Sequence, residues 1–374
     1  MKKRIYFENL DGLRFLCFLS VFFFHSFHTE YADIRESKIY HVVKWDIFGN
    51  GNLGVNFFFV LSGFLITFLL IEEKKLNGQI SLRKFWIRRV LRIWPLFYFC
   101  VFFGFVIFPF LKQLFGQIPN ETANPFYYLI FLNNFDFIKK GLPDSSVLGV
   151  LWSIAVEEQF YLIWPIILFL FPVKKLWIPF TVIMVINLVF RAHYNYYQMH
   201  EFHTISCIGD MTIGAIGAWL VNESQKFKER ITNLSKAEII VIYLLFAGIF
   251  FFRDELLIVN PTIRIFERIF IAVCILFIIL EQTFARHSFF KMSDFKTISK
   301  LGVITYGLYC LHFIGILLAI SITKKAGINT TIWQVFFIET PLALLLSIFI
   351  SKLSYRYYET PFLKLKDRFA FITK

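Results

Sequence analysis

Two residues in the first apolar stretch have the types and spacing to do chemistry together. Arg14 and His25 stand eleven apart in LDGLRFLCFLSVFFFHSFH, which otherwise reads as a membrane span. At about 100° and about 1.5 Å per residue, eleven steps make roughly three helical turns and roughly 16 Å. Both side chains therefore fall on one helical face. A guanidinium is permanently charged, whereas imidazole, with an ordinary pKa of about 6.5, takes and releases a proton near neutrality. Ionisable groups facing lipid are costly, so the shared face points to a polar path through protein. Asp11 allows a plainer reading of the arginine, an Asp11–Arg14 pair three residues apart that closes the helix end.

Four further segments carry candidates. GVNFFFVLSGFLITFLL holds Ser62 and Gly63, which serve either a substrate path or close helix packing. RKFWIRRVLRIWP puts Arg89 and Arg92 on one face of an expected interfacial helix anchored by Trp86 and Trp94. That pair reads equally as a charged anchor or as a clamp for phosphate, whose geometry a guanidinium fork matches. LWSIAVEEQFYLIWP places Ser153 and Glu157 four apart with Glu158 adjacent; two carboxylates there need partners, a water-filled cavity or the interface. In YGLYCLHF, Tyr306, Tyr309 and His312 step by three along one face. His312, like Asp210 in another apolar stretch, reads as hydrogen-bonded structure or as part of a path.

The elements that must position these residues are helices in a membrane. The chain is 57% hydrophobic, with 51 phenylalanines among 374 residues, too apolar for a soluble globule. Apolar runs of about 17–25 residues match a hydrocarbon core of about 30 Å crossed as helix, and the short alternating strands of a barrel are missing. The expectation is an all-α polytopic bundle with ten spans near 10–28, 54–71, 93–115, 147–171, 176–191, 205–221, 237–252, 265–281, 300–322 and 332–351. Ten spans with an inside N-terminus put 26 lysines and arginines in the cytosol and 11 outside, which fits the positive-inside bias with both termini cytosolic. The net charge of +13 is thereby a topology signal, with no call on nucleic acid. Residues 1–374 read as a single transmembrane domain without a soluble extracytoplasmic one. Five cysteines lie one per span, none with metal or redox spacing, and no metal is expected.

Taken in order, LDGLR-x10-H, GVNFFFVLSGFLI, RRVLRIWP, LWSIAVEEQFYLIWP, YGLYCLH and YRYYETPF make a chain that resembles the acyltransferase-3 family of membrane-bound acyltransferases from about Phe7 to Lys366. The resemblance implies transfer of an acyl group, most often acetyl, from cytosolic acyl-CoA to a hydroxyl of a cell-surface or lipid-linked carbohydrate. The Arg-x10-His motif falls on Arg14 and His25, the paired-arginine motif on Arg89 and Arg92, and the Ser-x3-Glu motif on Ser153 and Glu157. On that reading His25 is the general base or a transient acyl carrier. Arg14 holds a CoA phosphate or the thioester oxygen, and Arg89 and Arg92 clamp the CoA nucleotide. Glu157 orients His25 or the acceptor, and the host membrane is a bacterial inner membrane.

Two other patterns are weighed and set lower. His28-Thr-Glu-Tyr-Ala-Asp33 matches the His-x4-Asp of glycerolipid acyltransferases but stands without that family's other segments. A transporter or exporter would also align Arg, His and Asp along a path, yet the chain shows no internal repeat of the kind many transporters are built from.

Overall fold

In the computed structural model, which describes residues 6–369, there are helices and no strands among the described residues. Lys2, Lys3, Arg4 and Lys374, counted in the charge bias, and the two chain ends lie outside that range. The long helices are α1 (Glu8–His25), α2 (Leu53–Asn77), α3 (Leu82–Leu114), α4 (Ser146–Leu170) and α5 (Val173–His193), then α6 (Thr204–Glu223), α7 (Lys236–Ile258), α8 (Pro261–Phe284), α9 (Thr305–Ala326) and α10 (Ile332–Asp367).

Among the described residues seven of these, α2 to α6, α9 and α10, are long and apolar enough to cross a membrane alone. The short helix Gln225–Thr232 and α7 pass together but are bent by 89°. The helices α1 and α8 carry too much charge to pass: Glu8, Asp11 and Arg14 in one, Arg264, Glu267, Arg268 and Glu281 in the other. Of these, Asp11, Glu267, Arg268 and Glu281 are buried in protein, whereas Glu8 is exposed. RKFWIRRVLRIWP differs from expectation. It is no separate interfacial helix but the opening turns of α3, which runs through Pro95. The hydroxyls of Tyr306 and Tyr358 donate to the Ile93 and Pro95 carbonyls at 2.7 and 3.0 Å, which ties α9 and α10 to α3 beside its proline.

Helix α1 sits between two apolar clusters. Phe15, Phe18, Val21 and Phe22 pack with α3, α4 and α9, while Leu10, Leu13 and Cys17 pack with α2, α6 and α8. Burial on both sides fixes its rotation, and with it the direction of Arg14. The backbones of α2 and α6 touch. A Cβ on Gly63 would collide with the Met211 carbonyl, and one on Gly214 with the Val60 carbonyl. Small residues at such crossings let membrane helices reach dispersion contact. Gly63 is therefore explained by packing.

Beyond α2, three arginines and three acids neutralise one another out of solvent. Arg268 holds Asp210 at 2.5 Å, and Arg253 holds Glu201 at 2.6 Å and Glu267 at 2.5 Å. Arg191 reaches Glu267 at 3.2 Å, and Asn56 donates to Asp210 at 2.9 Å. Asp210 is thus a structural acid that ties α6 to α8 and α2.

The far end of α1 is held by Lys44, from the one-turn helix Val42–Ile47. Its ammonium donates to the Phe24 and Ser26 carbonyls at 2.6 and 2.7 Å, the carbonyls a helix end leaves unpaired. Burial pulls the Lys44 pKa down to about 8 from 10.5.

Two predictions follow from these contacts. Arg268→Ala strands the Asp210 carboxylate and costs about 3–5 kcal/mol, whereas pairing Arg268→Met with Asp210→Leu recovers most of it. Melting of the detergent-purified protein measures both, and an unmoved single variant refutes the network's role. For Lys44, the unfolded chain binds the proton more tightly than the folded one between about pH 8 and 10.5. Stability from this residue therefore rises with pH across that window. Melting temperatures from pH 7.5 to 10.5 should climb less in Lys44→Met, and an identical slope in both proteins refutes the assignment.

Candidate functional site

A cavity of about 230 Å³ opens between α1, α2, α3, α4 and α9. Arg14 enters it from α1, Ser62 from α2, Arg89 and Arg92 from α3, Ser153 and Glu157 from α4, and Tyr306 and Tyr309 from α9. Eight residues singled out in the sequence are brought together here, and spacings of three and four turn Arg89 with Arg92, Ser153 with Glu157 and Tyr306 with Tyr309 each to one helical face.

The cavity is cationic. Arg14 is bonded to Asp11, which also accepts from the Tyr6 hydroxyl; Asp11 itself is buried and is not among the lining residues. Arg89 lies over the rings of Phe85 and Tyr161 at 5.4 and 5.5 Å, and its Nε is buried without a partner. Neither Arg89 nor Arg92 makes an ion pair among the described residues. Arg88, one residue before Arg89, does, taking Glu73 at 3.3 Å. Three guanidiniums therefore surround a space whose one lining carboxylate among the described residues is Glu157. Buried charge without a partner is expensive, so this arrangement fits an anionic ligand.

Glu157 sits against the Tyr161 and Ser62 hydroxyls, which are themselves 2.5 Å apart. This places it where α2 and α4 cross, not beside His25. Glu158 points away from the cavity, taking a hydrogen bond from Trp94 at 2.8 Å. Ser153 shares a hydrogen bond of 2.6 Å with the Tyr309 hydroxyl at the inner end. Tyr161 was not singled out from sequence. Its signal was present, since it lies four residues after Glu157 and eight after Ser153 on the same face of α4.

His25 and His312 lie outside the cavity lining. The strip of α1 between Arg14 and His25 is filled by Phe18 and Phe22, both with no exposed surface, so the shared face is not one continuous polar channel. His25, half-buried at the end of α1, has its ring centre 5.4 Å from that of His312 and 4.8 Å from that of Phe313. His312 is fully buried; its Nδ1 is 2.8 Å from the Tyr309 carbonyl and its Nε2 has no partner. Tyr309, against Phe58 at 6.0 Å, closes the inner end of the cavity, and the His312 ring centre is 6.3 Å from its own. Cavity and histidine pair are thus separated by one layer of aromatic side chains. No group of three or more His, Cys, Asp or Glu side chains suited to a metal occurs among the described residues.

Comparison with known proteins agrees with this architecture. The acyltransferase-3 family model, described as an acyltransferase domain, matches residues 7–355. The chain is 27% identical over 382 residues to peptidoglycan O-acetyltransferase OatA of Listeria monocytogenes, covering 96% of this chain and 56% of that protein. It is also 27% identical over 390 residues to O-acetyltransferase OatA of Staphylococcus aureus (strain NCTC 8325), covering 99% and 59%. The chain thus spans a little over half the length of these relatives. No solved structure matches it. With the family match running across the five helices that build the cavity and on into α10, this multi-pass membrane protein belongs to the acyltransferase-3 family.

Proposed function

We propose that this chain is an integral membrane O-acetyltransferase that moves an acetyl group from cytosolic acetyl-CoA to a hydroxyl of a cell-envelope carbohydrate. The observation that carries the reading is the cavity with three guanidiniums and one lining carboxylate. Coenzyme A is a polyanion on a thin arm. At about 230 Å³ the cavity is smaller than the about 300–1,000 Å³ of sites that enclose a drug-sized molecule. That size suits the pantetheine arm, with the nucleotide phosphates at Arg89 and Arg92 and Arg14 deeper along the arm. The name of the Listeria relative points to peptidoglycan as the acceptor, and the apolar helices of a chain with bacterial relatives support the cytoplasmic membrane as the site of action. The charge bias supports ten spans with both ends in the cytosol, which puts the arginines on the cytosolic side and His25 on the outer side.

In the reaction the acceptor oxygen bonds to the thioester carbonyl carbon and the carbon–sulfur bond breaks. Neutral His25 takes the proton leaving the hydroxyl and returns it to the departing thiolate. Glu157, beside Tyr161 and Ser62, orients the arm, while Ser153 and Tyr309 form the end against which the acetyl group stops.

His25→Ala is expected to insert normally and to lose about 100-fold or more of acetyl transfer. Inside-out vesicles given labelled acetyl-CoA, followed by thiol release and label in the glycan fraction, measure this; transfer at the wild-type rate overturns the role. Arg89→Ala with Arg92→Ala should raise the KM for acetyl-CoA at least about tenfold, because each lost charge-assisted contact to phosphate is worth about 1.5–3 kcal/mol. An unchanged KM returns the pair to a membrane anchor. No acetyl-CoA turnover by well-inserted wild-type protein favours a transporter instead.

A further inference from the structure

The most anomalous polar atom near His25 is Nε2 of His312. His312 has no exposed surface, and its other ring nitrogen is 2.8 Å from the Tyr309 carbonyl. A carbonyl only accepts, so Nδ1 carries the hydrogen and Nε2 is a bare lone pair. That lone pair is buried with no partner. Leaving an acceptor in this state costs about 1–3 kcal/mol, so a donor is expected to reach it.

The neighbours narrow the choice. Rings around His312 belong to Phe18, Phe22, Phe313, Tyr309 and His25. The phenylalanines offer no polar hydrogen. The Tyr309 hydroxyl is engaged with Ser153 at 2.6 Å and with the Val150 carbonyl at 3.3 Å. The remaining ring donor is His25, whose centre is 5.4 Å away at an interplanar angle of 31°. Two imidazoles joined by an N–H···N bond of about 2.9 Å have centres roughly 5 Å apart. A small turn of the half-buried His25 ring closes the contact.

We propose that His312 is the positioning residue for His25, accepting its N–H at Nε2 and so fixing which His25 nitrogen keeps a free lone pair. The proposal rests on the reading of His25 as the base. The chain of contacts is the Tyr309 carbonyl, His312 and His25, with the last lone pair turned to the half-open side where a hydroxyl can approach. A base whose ring is held in one tautomer by a third group follows the logic of the serine-protease triad, here with a neutral imidazole in the orienting place. When His25 takes a proton, the same bond stabilises the imidazolium it becomes.

Two variants separate this role from packing. His312→Asn keeps an N–H near Nδ1 for the Tyr309 carbonyl but has nothing at the Nε2 position. His312→Gln reaches that position with an amide oxygen. In inside-out vesicles with labelled acetyl-CoA, the asparagine variant should lose about 10–100-fold in kcat with an unchanged KM for acetyl-CoA, and the glutamine variant should recover most of the loss. A second readout is independent of turnover. Diethyl pyrocarbonate labels a neutral imidazole lone pair, and mass spectrometry should find His25 labelled about tenfold more slowly in His312→Asn than in wild type or His312→Gln. Equal kcat and equal labelling of the two variants, whether both high or both low, overturns the proposal. Wild-type turnover by His25→Ala would instead sink the reading of His25 as base, leaving the labelling comparison to decide whether the two rings are coupled.

Discussion

Three guanidinium groups inside an apolar bundle constrain nearly everything else about this protein. Arg14, Arg89 and Arg92 cannot turn to lipid, so α1 and α3 must face each other across a cavity, with α2, α4 and α9 to wall it. Arg14 has its own counter-ion in Asp11, whereas Arg89 makes no ion pair: it lies on the faces of Phe85 and Tyr161, with Glu157 and Glu158 attracting it from beyond contact distance. The second charged assembly makes the contrast. Arg191, Arg253 and Arg268 meet Glu201, Glu267 and Asp210 in equal number and leave no arginine unpaired. A balanced network holds helices together. At the cavity, by contrast, Arg89 and Arg92 are not drawn into contact ion pairs and face open space.

Much of this was legible in the sequence. The apolar runs gave the helices, and the spacings 89/92 and 153/157 gave the residues that share the cavity, because a helix turns side chains three and four apart to one side. The Asp11–Arg14 pair followed from the same rule. Other features were not legible, for physical reasons. The interruption of the Arg14–His25 face by Phe18 and Phe22 depends on what packs against α1, which periodicity cannot supply. Glu157 was expected near His25 or the acceptor and lies by Tyr161 and Ser62, since the partner of a carboxylate is set by how α2 and α4 cross. Asp210 finds its arginine 58 residues away, and Lys44 caps a helix end 18 and 20 residues before it. Gly63, open in the sequence between path and packing, resolves to packing because a Cβ there would strike the Met211 carbonyl.

Helix α1 joins these parts. Packed on both sides, it has no freedom to roll, so the charged end at Arg14 and the imidazole end at His25 are fixed relative to one another. Lys44 holds the far end by its carbonyls, which keeps the backbone that carries His25 in place.

The aromatic layer between cavity and histidines then has a chemical consequence. Tyr309 and Phe58 close the cavity end, and Phe18 and Phe22 fill the strip of α1 beneath His25. A thioester waiting in the cavity would be kept from water that reaches the half-open His25 side, and water is the acceptor most able to waste it. His312 lies immediately beyond the Tyr309 ring and His25 beyond that, at 6.3 and 5.4 Å between ring centres. The Ser153–Tyr309 hydrogen bond of 2.6 Å holds that ring in place. Ser153 stands one turn before Glu157 on α4, so the carboxylate that faces the arginines and the hydroxyl that holds the tyrosine belong to a single helical turn.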